Sequence, residues 1–186
     1  MKEILQSYIT LSDELYQLFL NSAKKKEAEK NQLLFYPQNV TRKCLFIESG
    51  LLRGYKLIDG KEYTHHFFTA EWFATDFESF LTNQPSTIFI ETLTKVTYYE
   101  FEKETLLKLY AAHHPFEKLG RIIAEKAYLS TVEKLTSIQT LDLQERYKSL
   151  VQKNPDLFQK VPQKYIASYL GVSEQSLSRI KNKLIS

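Results

Sequence analysis

The residues best suited to specific chemistry lie near the C-terminus, in the run Pro162-Gln163-Lys164-Tyr165-Ile166-Ala167-Ser168-Tyr169-Leu170-Gly171-Val172-Ser173-Glu174-Gln175-Ser176-Leu177-Ser178-Arg179-Ile180. Arginine bonds guanine at two points, glutamine matches adenine, and a carboxylate accepts from cytosine N4. Arg179, Gln175 and Glu174 supply all three, and with Ser178 they fall on one side of a helix. These four are the candidate base-contacting residues. Lys164, Ser173, Ser176, Lys181 and Lys183 are candidate phosphate contacts, helped by the backbone amides at a helix N-terminus.

Such side chains need a rigid mount. The same run has the spacing of two short helices joined by a tight turn. Ala167 is small enough to let the helices cross closely. Gly171, four residues later, tolerates the positive φ of the turn. Val172 plugs the corner and Ser173 can cap the second helix, expected from Ser173 to Leu184 after a first from Gln163 to Leu170. Ile166, Leu170, Leu177 and Ile180 face inward. Each feature alone is weak, but the combination is specific.

Charge distribution agrees. From Ser137 onward eight bases stand against four acids, or +4, while the whole chain carries +3, leaving −1 for the rest. A basic tail on a near-neutral body suits a polyanion. The hydrophobic share of 43% is enough for a core. No apolar run approaches a membrane span, and the N-terminus lacks the pattern of a secretion signal, so a cytoplasmic location is expected. The one cysteine, Cys44, sits in the apolar run Lys43 to Ile47 and reads as a buried hydrophobe, not a redox sensor.

Ahead of the tail the periodicity changes twice. Ile4, Leu5, Tyr8, Ile9, Leu15, Leu18 and Phe19 are spaced helically, with Ser12-Asp13-Glu14 as a possible interruption and cap. Asn21 to Lys30 reads as a solvated helix end or linker. From Asn31 to Phe101 short strands follow: Lys43 to Ile47, Leu51 to Ile58, Lys61 to Phe68, Thr87 to Ile90 and Val96 to Phe101. Asp59-Gly60 is a two-residue hairpin signal. Many short strands at this spacing suggest a barrel or roll. Helix returns from Glu102 to Ala112 and restarts at Pro115, running to about Thr136. Its apolar stripe wants a partner, and Phe116, Leu119, Ile122, Ile123 and Leu129 are the expected dimer interface. A further helix covers Asp142 to Gln152, and a short turn leads to Val161-Pro162.

Taken together these residues resemble the Crp/Fnr transcription regulators over nearly the whole chain. The resemblance rests on Ile166 to Ser173 with Leu177-Ser178-Arg179-Ile180, on Phe46-Ile47-Glu48-Ser49-Gly50-Leu51-Leu52-Arg53, on Ser79-Phe80-Leu81 before Pro85-Ser86, and on Glu145-Arg146-Tyr147. It implies an α+β protein: a cyclic-nucleotide-binding-like β-roll sensor with N-terminal helices over residues 1–112, a long dimerisation helix over 113–136, and a winged-helix or helix-turn-helix DNA-binding domain over 137–186. It further implies a homodimer on near-palindromic double-stranded DNA and contact with RNA polymerase, without catalysis, cofactor or membrane. With Ser186 so soon after the recognition helix, any wing is expected to be very short or to come from elsewhere.

Departures from the family pattern bear on the sensor. Members that bind cyclic AMP carry a Gly-Glu pair and then Arg-Ser-Ala. Ala74-Thr75 and Pro85-Ser86 stand at those places. Without the arginine a cyclic phosphate loses its charge-assisted partner, so control by cyclic AMP is not expected. The cysteine cluster of oxygen-sensing members is also missing. An unknown small-molecule effector would have Phe68, Trp72, Phe73, Thr75, Ser86 and Thr87 as its candidate pocket, although aromatic residues here can equally fill the roll. His65-His66 and His113-His114 read as ordinary histidines, since strand neighbours point to opposite faces. The alternatives are a ligand- or partner-binding β-roll without DNA binding, and a cupin-like enzyme, for which the strands lack convergent metal ligands.

Overall fold

Strand pairing is set by the turns. Asp59 and Gly60 adopt φ of 49° and 76°, the left-handed pair a two-residue hairpin requires, and they join β4 (Leu51–Ile58) to β5 (Lys61–Thr69). At Gly50 (φ 98°), between β3 (Lys43–Ser49) and β4, an added Cβ would lie 2.4 Å from the Lys95 carbonyl oxygen, so glycine is required there. The computed structural model describes residues 1–185, with side chains through Lys183.

Among the described residues, eight strands form two four-stranded sheets. One has the order β1 (Lys24–Ala28), β8 (Val96–Glu102), β3, β6 (Phe73–Ala74); the other has β2 (Leu33–Phe35), β7 (Phe89–Thr92), β4, β5. All strand pairs are antiparallel. Between the sheets lie Phe35, Leu45, Ile47, Leu52, Phe68, Ile88, Ile90, Val96 and Tyr98, a predominantly apolar interior. The expected linker over Asn21 to Lys30 is instead partly a strand. β1 pairs with β8, where Lys26 reaches Glu100 at 2.5 Å and Lys25 reaches Glu48 at 2.7 Å. The three lysines are exposed, as expected, but Lys25 and Lys26 also face acids across the sheet, which local composition does not reveal.

The N-terminal helices α1 (Lys2–Gln6) and α2 (Asp13–Asn21, capped by the Ser12 hydroxyl) pack on the outer face of the first sheet. After β8 come α4 (Lys103–Ala112) and α5 (His114–Thr140); α3 (Phe77–Thr82) precedes β7. At 27 residues α5 is about 40 Å long. It runs four residues past the expected end, until the capping box of Asp142 and Glu145 starts α6 (Leu143–Lys153).

The upper half of α5 corrects the expected dimer interface. Phe116, Leu119 and Ile123 are buried in their own chain beside Phe19, Phe101 and Leu106, and Ile122 packs against the same cluster. Phe116 stacks on Phe19 with ring centroids 5.3 Å apart. The roll and α2 had apolar faces of their own to cover, and the nearest helix covers them. Of the five residues, Leu129 alone is left exposed.

Candidate nucleic-acid interface

Beyond α6 the chain forms α7 (Leu157–Lys160), α8 (Gln163–Leu170) and α9 (Glu174–Ile185). Gly171 ends α8 in the left-handed conformation at φ 72°. The Val172 amide donates to the Ala167 carbonyl at 3.0 Å, which folds the turn under the first helix. Ser173 caps α9, its Oγ accepting from the Ser176 amide at 3.2 Å. Ile166, Ala167, Leu170 and Leu177 are buried together with Leu150, Leu157 and Val161, and Ile180 is half-buried.

With Leu177 turned inward, Glu174, Gln175, Ser178 and Arg179 are all exposed, Gln175 and Arg179 on the side of α9 away from it. Of the candidate phosphate contacts, Lys164, Ser173 and Lys183 are exposed, while Ser176 and Lys181 are half-buried. The Ser176 hydroxyl lies 3.0 Å from that of Ser173, so both sit at the N-terminus of α9, where amides and the helix dipole favour an anion. The surface is a convex helix flanked by cations, with polar side chains free to meet a groove.

The first helix of the pair is held differently. Arg53, in β4, is fully buried with its guanidinium 3.5 Å from the ring centre of Tyr165 and 4.0 Å from that of Tyr55. Its Nε donates to Glu91 at 2.9 Å and its Nη2 to Glu62 at 2.7 Å. Burial pushes the Glu91 carboxyl above its ordinary pKa, against the pull of the Arg53 charge. Beside this seam the Thr64 amide donates to the Ser168 hydroxyl at 2.8 Å, and that hydroxyl donates to the Glu62 carbonyl at 3.1 Å. α8 is thus tied to the free edge of β5, the last strand of its sheet. Sequence reasoning missed this seam. Its one signal was an arginine within a strand otherwise apolar at its start.

The candidate effector residues do not share one pocket. Phe68 lies in the interior between the sheets, whereas Phe73 belongs to the helix-side core against Phe46. Trp72 lies outside, edge-on to Tyr8. The Thr75 hydroxyl is occupied by the Lys43 carbonyl, the Ser86 hydroxyl by Ile88, and Thr87 is exposed. Alternation along a strand sends neighbours to opposite sides, so closeness in sequence did not mean closeness in a pocket. Neither arginine of the roll is available for a phosphate between the sheets: Arg53 is spent on two carboxylates and Arg42 is on the surface. Cys44 is buried, which pushes its thiol up to about 12.

Residues 25–113 match the cyclic nucleotide-binding domain family. No curated protein matches the chain in sequence. Among solved structures, the chain is similar to the c-di-GMP responsive global regulator CLP of Xanthomonas campestris, with 19% identity, 93% of this chain and 91% of that one covered, and a TM-score of 0.70. FixK2 of Bradyrhizobium japonicum matches at 13% identity over 87% of this chain and 84% of its own, with a TM-score of 0.76. A protein of Eubacterium rectale ascribed to the crp/fnr family of transcriptional regulators matches at 16% identity over 91% and 82%, with a TM-score of 0.71. At these identities the likeness is one of fold.

Proposed function

Proceeding from a cyclic nucleotide-binding domain in a chain with the fold of Crp/Fnr regulators, we propose that the protein is a sequence-specific DNA-binding transcriptional regulator. It binds a near-palindromic operator as a homodimer. The observation that carries this reading is the polar face of α9, exposed over Glu174, Gln175, Ser178 and Arg179 while Leu177 anchors the helix from behind. α8 and α9 act as a helix-turn-helix, with α9 in the major groove, Arg179, Gln175 and Glu174 selecting bases, and Lys164, Ser173, Ser176, Lys181 and Lys183 holding phosphates.

The dimer forms through the lower half of α5. Tyr128, Val132, Leu135 and Ile138 are exposed there at steps of four, three and three residues, with Leu129 beside them, which puts an apolar stripe along the helix. Two such helices side by side present two recognition helices about one DNA turn apart. Cyclic AMP does not control the protein, because the roll interior is filled by apolar side chains and offers no arginine to a phosphate.

Selecting bound fragments from random DNA gives the operator, and gel shifts on it test the reading. Arg179→Ala weakens the operator complex by about 1–3 kcal/mol and leaves non-specific binding unchanged. Binding falls steeply with salt and is indifferent to added cyclic AMP. A chain that selects no sequence, or an Arg179→Ala variant as tight as wild type, overturns the assignment.

A further inference from the structure

Where β5 and the loop after it face the lower half of α5, α6 and the end of α8, a cleft of about 580 Å³ opens. That is the size of a small-molecule site. Its apolar walls include the rings of Phe67, Trp72 and Tyr169, with Leu150 and Leu157. Phe67 of the roll and Tyr169 of α8 pack against each other, with centroids 5.3 Å apart.

Among the polar groups that line this cleft, the cations Lys134 and Arg146 are incompletely matched. Lys134 gives its Nζ to the His65 carbonyl at 2.7 Å and lies 4.0 Å from the Tyr169 ring centre. Among the described residues no carboxylate lies within ion-pair distance of it, and burial pulls its pKa down to about 8. Arg146 gives Nη1 to the Leu170 carbonyl at 2.8 Å, while its Nε is buried without a hydrogen-bond partner. Glu133, the carboxylate in the lining, is taken by Lys153. Two positive charges therefore face an aromatic cleft without a counter-charge, and a buried N–H left unmade costs free energy that a bound acceptor would recover.

We propose that this cleft binds a small organic anion with a planar apolar body, its carboxylate, sulfonate or phosphate meeting Lys134 and Arg146 while the rings of Trp72, Phe67 and Tyr169 receive the body. The site is separate from the space between the sheets and does not depend on DNA binding. Its walls come from the roll, α5, α6 and α8, so an occupant holds those elements in one arrangement.

Trp72 is the single tryptophan of the chain and lines the cleft, which provides a local reporter. The probe is 8-anilinonaphthalene-1-sulfonate, an anion with a planar naphthalene ring, titrated into the full chain with Trp72 emission as the readout. Saturable quenching at one probe per chain is expected. Lys134→Gln weakens it about tenfold or more through the lost charge-assisted contact. Ser149→Phe, which narrows the cleft, abolishes it, and serves should Lys134→Gln fail to fold by circular dichroism. The neutral N-phenyl-1-naphthylamine, with the same body and no sulfonate, binds at least about tenfold more weakly. Quenching that is absent, that survives Ser149→Phe, or that is equal for the neutral probe overturns the proposal; the last two would mean probe bound to the exposed apolar stripe of α5.

Discussion

The two halves of α5 are built from similar residues and meet opposite fates. In the upper half Phe116 is 0% exposed, packed into the core that joins α2, α4 and the first sheet. In the lower half Leu129 is 61% exposed and Leu135 56%. An apolar stripe in a sequence announces burial but does not say against what. The upper stripe is used up inside the chain. The lower stripe has run past the roll, and in our proposal it waits for its copy.

The contrast can be broken by substitution. The largest effect is expected from Leu129→Asp combined with Leu135→Asp. Each lost leucine burial costs about 1.5–3 kcal/mol, and a dimer loses four, so roughly 6 kcal/mol or more of association disappears. Sedimentation should show a monomer whose melting temperature is nearly that of a monomeric wild-type control. If the variant unfolds instead, the lower half is packed in its own chain like the upper.

Phe116→Ala comes next and acts the other way. Removing a fully buried ring should cost about 3–5 kcal/mol of folding stability, read as a lower denaturant midpoint, without weakening association of the folded chains. A cost below about 1 kcal/mol would place Phe116 outside the core.

The smallest effect sharpens the comparison where the lower half turns back toward its own roll, at Lys134. Burial lowers its folded pKa to about 8 from the ordinary lysine value of 10.5. Between those values the unfolded chain binds the more protons, so this residue makes stability rise with pH through that window. Lys134→Gln should remove that rise. The difference between wild-type and variant unfolding free energies, followed from pH 7 to above 10, checks it; parallel curves would mean that Lys134 is solvated in the folded chain.

Much of the architecture was legible because its causes are local. Alternation and Asp59-Gly60 announced the β4–β5 hairpin, Pro115 the start of α5, and Gly171 with Ser173 the turn between α8 and α9. The face of α9 was legible for the same reason: once Leu177 points inward, helical geometry dictates where Arg179 points. The acid partners of Lys25 and Lys26 in β1 were not, since Glu48 and Glu100 reach them only across a sheet. Nor was the fate of Arg53, whose partners Glu62, Glu91 and Tyr165 come from three other elements.

By itself the sequence determined what short-range physics controls: where helices start and stop, which strands turn back on one another, and which side chains a helix shows to one side. Tertiary structure alone decided which apolar stripe is consumed within the chain and which stays open. It also placed Lys134 and Arg146 across an aromatic cleft. Both outcomes depend on which distant surfaces compete for the same contact, and no window of neighbouring residues contains that competition.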